Sequence, residues 1–453
     1  MLSEQQPATL PETPTAPGDS ESISGVSGGS GSGRPFKTLY ARLGETSRQT
    51  SLLFSAQSGS LLFGFASSLL QARFMERAEM GRFAFCLSII VIIGLSFEFG
   101  ISSAGARVLA LEREHAGERS ALGALLLLTL IIGAIFALFI IAVAGPIDLI
   151  FHKDVRWILV ATAGLAFFQP LQPFVEQCCQ GLNQIRRLSA FHLLMSGTYL
   201  ASMTALAFTG RLNAGTALAG YLTGIAIASV WTIIGLRPTL VGSGHFLKLT
   251  LKETRRFGLN LYVARVAGLL SSRADQLVIA YFIKEAAPLG MYAIVQKFAN
   301  PIMMAGRSLA TARFRSFARA DAVSRRINRW NAVLLVGAAV VLVIAGPVAI
   351  KLFFPRYAEA SWLLVPFAIA SVFAGLFQPY NVFLASQGRG RELRNVVAVV
   401  SIASFAGLIV MVPRYGIGGA AWVASAVMAL DYLLHLHYYR LFKQSLSKQA
   451  VIK

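Results

Sequence analysis

The 453-residue sequence predicts an all-α integral membrane protein with about twelve transmembrane helices, arranged as two homologous lobes of six. Hydrophobic residues make up 55% of the chain and charged residues only 14%, about half the charged fraction of a soluble domain. Apolar stretches of about 20 residues, long enough to cross a bilayer, recur along most of the chain. Several short motifs also recur about 200 residues apart, which indicates an internal duplication.

The beginning of the chain differs from the rest. Pro, Ser and Gly dominate residues 1–34, and this composition predicts a disordered cytoplasmic tail. The tail lacks the basic start and the apolar run of a signal peptide. The sequence assigns no function to it.

Twelve helical spans follow the tail and are joined mostly by short loops. The longest loops, around 237–257 and 310–330, hold about 20 residues each and leave no room for a catalytic domain. The predicted spans cover approximately residues 51–72, 83–105, 120–143, 157–179, 189–208, 214–236, 258–283, 289–309, 331–350, 360–385, 394–412 and 417–438.

The distribution of Lys and Arg predicts the orientation of the spans. With an even number of spans, both termini lie on one side of the membrane, and 28 of the 41 basic residues fall on that side. Only 10 fall in the loops of the opposite side. Because cytoplasmic loops collect Lys and Arg, both termini are expected in the cytoplasm.

The internal repeat indicates two related lobes. Each match falls at an equivalent place in its lobe, and the even number of spans per repeat predicts parallel lobes related by an axis along the membrane normal. The matching pairs are Ala144-Gly145-Pro146 with Ala345-Gly346-Pro347, Phe168-Gln169-Pro170 with Phe377-Gln378-Pro379, Gln180-Gly181 with Gln387-Gly388, and residues 74–85 with 283–294, which share Gly81 and Gly290. The predicted divisions are a tail (1–50), an N-lobe (51–236), a cytoplasmic linker (237–257), a C-lobe (258–440) and a short basic cytoplasmic tail (441–453).

Basic residues within the seventh and eighth spans mark a candidate substrate site. Ionisable side chains at membrane depth are costly and usually face a cavity or a partner. Helical spacing places Arg265 on one polar stripe with Tyr262 and Gln276, so Arg265 is expected to face a central cavity. Arg273 lies beside this stripe, where helix packing is the alternative role, and Lys297 either faces the cavity or extends to an interface. Lys and Arg bind phosphate oxygens, so these residues favour an anionic ligand.

Three carboxylates are candidates for ion coupling or for ion pairs. Glu98 lies within the second span, where an ion pair with nearby Arg107 is the alternative to coupling. Asp275 either couples an ion or joins neighbouring helices. Asp431 precedes His435 by one helical turn, so the two either relay protons or form a local polar pair.

Proline interrupts two spans at corresponding places of the repeat. Pro170 lies in the fourth span and Pro379 in the tenth. Proline removes a backbone hydrogen bond from a helix and bends it. These sites are therefore candidate hinges, with a static kink as the alternative.

The sequence contains no enzyme signature. It has no phosphate-binding loop, no HExxH and no G-x-S-x-G in a strand–turn–helix context. The three cysteines, Cys86, Cys178 and Cys179, lack the spacing of a metal site. We therefore expect no enzymatic activity, no cofactor, no metal site and no nucleic-acid partner.

Three segments resemble the Wzx-like polysaccharide transporters of the multidrug/oligosaccharidyl-lipid/polysaccharide (MOP) exporter superfamily. The resemblance covers about residues 40–440, and its motifs identify the family better than the substrate. The segments are Gln71-Ala-Arg-Phe-Met75 with Met80-Gly81-Arg-Phe-Ala84, Ser272-Arg-Ala-Asp275-Gln276-Leu-Val-Ile-Ala280 with Leu289-Gly290-Met-Tyr292-Ala293, and Pro413-Arg-Tyr415-Gly416-Ile-Gly-Gly-Ala-Ala421.

The resemblance implies a multi-pass flippase of the bacterial inner membrane with a MATE-like fold. Such a protein moves undecaprenyl-pyrophosphate-linked repeat units across the membrane by alternating access, for exopolysaccharide, capsule or O-antigen synthesis. The expected partners are the lipid-linked oligosaccharide, membrane lipids, glycosyltransferases and the polymerase or export machinery. The sequence does not identify the glycan or the coupling ion.

Three other functions remain open at this point. A cation-coupled multidrug exporter of the same superfamily is expected to carry a carboxylate in its first span, which 51–72 lacks. A lipid II flippase is mechanistically close but usually has two more helices. A membrane glycan polymerase or ligase needs a large periplasmic loop, and the loops predicted on that side are short.

Overall fold

The computed structural model describes the backbone of residues 45–112, 114–255, 259–312, 317 and 322–452. Throughout these ranges the regular structure is helical, without a strand. The disorder predicted for the beginning of the chain falls largely on residues 1–44, which lie outside the described residues, as does the side chain of Arg265.

Among the described residues, the first half contains nine α-helices, and the second half contains six α-helices and one 3₁₀ helix. The first half consists of α1 (Glu45–Phe74), α2 (Arg77–Ser96), α3 (Ile101–Leu111), α4 (His115–Phe151), α5 (Arg156–Ala166), α6 (Leu171–Gly181), α7 (Ile185–Phe208), α8 (Ala214–Leu236) and α9 (Ser243–Glu253). The second half consists of α10 (Leu259–Phe282), α11 (Ala286–Ala312), α12 (Arg325–Phe353), the 3₁₀ helix Pro355–Leu363, α13 (Leu364–Leu376), α14 (Gln378–Ser386) and α15 (Gly390–Ile452).

Eight helical segments among the described residues are long and apolar enough to cross a membrane. Helices α1, α10 and α11 are not among them. Helix α15 bends at Gly416, whose φ of 58° and ψ of −141° lie in a region that only glycine adopts readily. The count of twelve spans and the cytoplasmic position of both termini therefore remain predictions.

The helix breaks follow the sequence repeat. Phe167–Pro170 separates α5 from α6, and Phe377 separates α13 from α14, with Pro379 in the first turn of α14. One break departs from the predicted spans, because the second span is not continuous over 83–105. Helix α2 ends at Ser96 and α3 begins at Ile101, with Phe99 and Gly100 in left-handed conformations between them.

The halves meet mainly at one end of the bundle, here called the closed end, which holds the turns at 75–76, 152–155 and 283–285. Arg73 donates a hydrogen bond to the carbonyl of Phe353 at 3.0 Å, and Arg77 pairs with Glu359 at 2.5 Å. Lys153, only 2% exposed, donates to the carbonyl oxygens of the three residues that follow α10, Ile283, Lys284 and Glu285. A loop of the first half therefore caps a helix of the second half.

Helices α2 and α11 cross at the closed end through a reciprocal glycine contact. A Cβ atom on Gly81 would overlap the carbonyl of Ala286, and one on Gly290 would overlap the carbonyl of Arg77. Gly81 corresponds to Gly290 in the repeat, and by the same spacing Arg77 corresponds to Ala286. The two helices therefore cross through equivalent segments of the repeat, near the axis that relates the two halves. The close approach requires glycine at both Gly81 and Gly290.

The buried hydrophobic residues that the structure describes form one cluster that both halves share and two clusters that each lie within one half. The largest cluster of buried hydrophobic residues includes Met80 and Phe83 of α2 together with Leu289 and Tyr292 of α11. A second cluster lies within the first half, and a third, around Phe383, lies within the second half. Because the halves have separate cores away from the closed end, they can part there without losing those cores.

Candidate functional site

A chain of polar side chains links the two halves between α11, α1 and α7. The Nζ of Lys297 donates a hydrogen bond to Oε1 of Gln71 at 3.1 Å, and Nε2 of Gln71 donates to the hydroxyl of Tyr199 at 2.6 Å. The Lys297 ammonium also lies 5.7 Å from the centre of the Phe83 ring, within the range of a cation–π contact. Lys297 therefore faces the first half rather than lipid.

A second polar contact mirrors the first. Ser88 of α2 donates a hydrogen bond to Oε1 of Gln276 of α10, just as Lys297 of α11 donates to Gln71 of α1. Ser88 and Lys297 are 209 residues apart, which is the offset that relates α2 to α11 in the repeat. At this position, therefore, one half presents a hydroxyl and the other a cation.

Arg273 adds a second positive charge to the same region. It acts electrostatically on Lys297 of its own half and on Tyr221 of the first half. Tyr221 packs edge-on against Tyr199, with ring centres 5.7 Å apart, and so connects Arg273 with the Gln71 chain. Neither Lys297 nor Arg273 lies within 4 Å of a carboxylate oxygen of the described residues.

Asp275 is held within the second half. Its Oδ2 accepts hydrogen bonds from the hydroxyl of Tyr292 at 2.8 Å and from Nε2 of Gln296 at 3.1 Å. Its Oδ1 accepts from the backbone N–H of Gln276 at 2.8 Å. The carboxylate thus joins α10 to α11, and it lies on a different side of α10 from Arg273.

The predicted polar stripe of α10 faces α2. The Tyr262 hydroxyl donates to the carbonyl of Ser96 at 2.6 Å, and Gln276 bonds Ser88 as described above. Arg265 belongs to the same stripe by spacing, but its side chain lies outside the described residues, so its expected role remains a prediction.

Glu98 lies in the break between α2 and α3 and is 3% exposed. Arg107, its expected partner, forms an ion pair with Glu253 of α9 at 3.6 Å. A coupling role for Glu98 stays a prediction.

Asp431 and His435 form a buried pair on α15. Nδ1 of His435 lies 2.9 Å from Oδ1 of Asp431, and the imidazole stacks on Phe377 with ring centres 4.9 Å apart. Phe377 is the residue at which α13 and α14 separate. The pair therefore lies directly against the helix break that contains Pro379, away from the cationic site.

Several uncharged polar residues of the site, Gln71, Ser88 and Tyr199, were not predicted from the sequence. Their signal was present, since the repeat offset places Ser88 opposite Lys297, but uncharged polar residues in helices usually bond within their own turn. Within the ranges described, no group of three His, Cys, Asp or Glu residues could hold a metal ion. Cys86, Cys178 and Cys179 are free and buried.

Residues 47–314 match the family described as "Polysaccharide biosynthesis protein". The match covers more than half of the chain, and the protein belongs to this family. The comparison with curated proteins found no match.

Several solved structures of membrane proteins share this fold. An inward-facing multidrug resistance MATE family transporter of the MOP superfamily superimposes with a TM-score of 0.70 at 14% identity, covering 86% of this chain and 96% of that one. The lipid II flippase MurJ, in an inward closed conformation, gives 0.66 at 14% identity, covering 88% and 91%. A mutant of the Vibrio cholerae MATE transporter VcmN gives 0.57 at 17% identity, covering 88% and 98%.

Proposed function

We propose that the protein is a flippase that moves a polyprenyl-pyrophosphate-linked oligosaccharide, of the undecaprenyl type, across the bacterial inner membrane for polysaccharide synthesis. Membership of the polysaccharide biosynthesis protein family and the MOP fold support a transport role in this pathway. Glycosyltransferases and a polymerase that supply and consume the repeat unit are the expected protein partners.

The positive charges of the site are the main evidence that the head group of the substrate is anionic. Lys297 contacts Gln71 and Phe83 of the other half, and Arg273 of α10 adds a second positive charge that acts electrostatically on Lys297. Asp275 is engaged by Tyr292 and Gln296. Like charges at membrane depth repel each other and cost solvation energy. A pyrophosphate between the halves relieves both costs, because it bears negative charge and accepts hydrogen bonds from both side chains.

The closed end supports alternating access in a defined direction. The predicted orientation places the turns at 75–76, 152–155 and 283–285 in the periplasm. The contacts of the closed end then lie on the periplasmic side, while the Tyr262–Ser96 hydrogen bond lies towards the cytoplasmic side, where a lipid-linked head group is made available. Release on the other side requires the contacts of the closed end to break, with the breaks at Pro170 and Pro379 as candidate hinges.

The test combines binding and transport. We expect Lys297→Gln and Arg273→Gln each to weaken binding of undecaprenyl pyrophosphate to the purified protein at least tenfold. We also expect both variants to abolish polysaccharide export in cells at an unchanged protein level. Lys351→Gln, which removes an exposed positive charge from α12, is the matched control and is expected to act as wild type.

The Arg265 prediction is tested in the same assay. Arg265→Ala is expected to lose glycan export while membrane insertion and protein level are retained. If the Lys297, Arg273 and Arg265 variants all export normally, the cationic site is not a substrate site. Unchanged polysaccharide in a deletion strain, together with new sensitivity to cationic drugs, would instead indicate a multidrug exporter. An accumulation of lipid II would indicate a lipid II flippase.

A further inference from the structure

A separate cavity of about 320 Å³ lies between α1, α7 and α11. Six of its eight lining residues are polar and none is a carboxylate, while Leu61 and Met304 are apolar. The polar lining residues that matter for its chemistry are Gln57, Ser60, His192, Arg307 and Ser308.

The cavity continues the cationic site along the same helix faces. Met304 and Ser308 follow Lys297 by seven and eleven residues, which places all three on one face of α11. At 1.5 Å per residue, the cavity begins about 10 Å from Lys297 and extends to about 16 Å, away from the closed end. On α1, Ser60 precedes Gln71 by eleven residues and so lies at a similar distance on the same face.

Two lining residues have unused hydrogen-bonding capacity. The Oγ of Ser60 and the Nδ1 of His192 are buried, and neither has a hydrogen-bond partner in the part of the chain that the structure describes. The other ring nitrogen of His192 lies 3.4 Å from Glu176, which also accepts a hydrogen bond from Gln172 at 3.1 Å. Buried polar atoms are nearly always paired, and a ligand in this cavity would be adjacent to both of these atoms.

We propose that this cavity binds the first sugars of the lipid-linked glycan, while the pyrophosphate lies at Lys297 and Arg273. Sugar hydroxyls both donate and accept hydrogen bonds, which matches a lining of hydroxyl, amide and imidazole groups. Met304 and Leu61 suit the C–H face of a sugar ring. The lining residues include no carboxylate that would bind a lipophilic cation. The proposal rests on the proposed function and adds to it a site that distinguishes one glycan from another.

The experiment separates the two ends of the substrate by using two probes on the full-length purified protein. One probe is the oligosaccharide released by mild acid from the lipid-linked pool of the host and then dephosphorylated. The other is undecaprenyl pyrophosphate without sugar. We expect Ser60→Ala and His192→Phe to weaken oligosaccharide binding at least fivefold and to leave binding of undecaprenyl pyrophosphate unchanged. Lys297→Gln is expected to show the reverse pattern.

Matched controls keep the result specific. Ser68→Ala removes a hydroxyl from α1 that bonds the Gly64 carbonyl, and His437→Phe removes an exposed imidazole from α15. Both are expected to bind both probes as wild type. Gln57→Ala, at an exposed position of the lining, replaces His192→Phe if that variant does not fold.

The sugar site would be refuted if the wild type did not bind the oligosaccharide. It would also be refuted if Ser60→Ala and the His192 or Gln57 variant bound the oligosaccharide as well as the wild type does. Displacement of the oligosaccharide by a lipophilic cation such as rhodamine 6G would refute it as well. Normal binding of undecaprenyl pyrophosphate by Lys297→Gln and Arg273→Gln would instead contradict the proposed function, so the two failures are distinguishable.

Discussion

Lys153→Met tests the contact that caps α10 at the closed end. In the wild type, the Lys153 ammonium donates to three consecutive carbonyl oxygens, with those of Lys284 and Glu285 at 2.6 and 3.1 Å. Methionine keeps much of the apolar stem but has no donor. The carbonyls after α10 then lose their partner from the other half, and the positive charge at the C-terminal end of the helix is lost as well.

The size of the effect follows from these contacts. A buried carbonyl left without a donor costs about 1–3 kcal/mol, and a cation at a helix C-terminus contributes about 0.3–1 kcal/mol. Burial of the ammonium itself offsets part of this gain. Because Lys284 and Glu285 are exposed, water replaces part of the lost hydrogen bonding, and we expect the closed end to lose about 1–2 kcal/mol, a shift of about 5- to 30-fold in the equilibrium between joined and separated halves.

Double electron–electron resonance between spin labels at Arg211 and Arg414 measures the equilibrium between joined and separated halves. These exposed positions lie at the closed end, one in each half. We expect Lys153→Met to add or enlarge a population with a longer distance. Lys284→Met removes the same charge from an exposed neighbour and is expected to leave the distribution unchanged. Identical distributions for wild type, Lys153→Met and Lys284→Met would refute the view that Lys153 holds the closed end together.

Three further substitutions test the packing. Gly81→Leu places a side chain against a backbone carbonyl of α11, so we expect it to destabilise the protein by at least about 3 kcal/mol and to lower its unfolding temperature. Gly145→Leu is the control, because the space around its Cβ position is open, and we expect it to have no effect. Gly416→Ala is expected to cost about 1–3 kcal/mol through backbone strain, and an unchanged unfolding temperature would contradict the tight bend in α15. Asp275→Ala leaves Tyr292 and Gln296 without their acceptor and is expected to destabilise the protein by about 2–4 kcal/mol, with denaturation of the purified protein as the measure.

The fold class and much of the helix pattern could be predicted, because membrane helices leave a direct trace in the sequence. Every backbone polar group must be satisfied inside the bilayer, so long apolar segments can only be helices. The repeat also pointed to the right places for the breaks at Pro170 and Pro379. The break at Phe99 and Gly100 was missed, because a glycine inside an apolar segment is common in membrane helices and does not by itself indicate a turn.

The sequence identified charged residues of the site but not their partners. Lys297, Arg273 and Asp275 stood out because charge is rare at membrane depth. Helical spacing also separated Arg273 from Asp275, and the structure places them on different sides of α10. Helical spacing does not show which helix packs against a given face. The partners Gln71, Tyr199 and Tyr292 were therefore identified only from the tertiary structure.

The sequence by itself determined the class of protein, the duplication and the residues whose charge demands a partner, since these depend on composition and on periodicity along one chain. The tertiary structure decided which repeated segments meet. It brought Gly81 against Gly290 and Lys153 against the end of α10, and it left a polar cavity beyond Lys297. These contacts join residues about 130 to 210 positions apart, and their geometry depends on how the two halves pack, which no local pattern encodes.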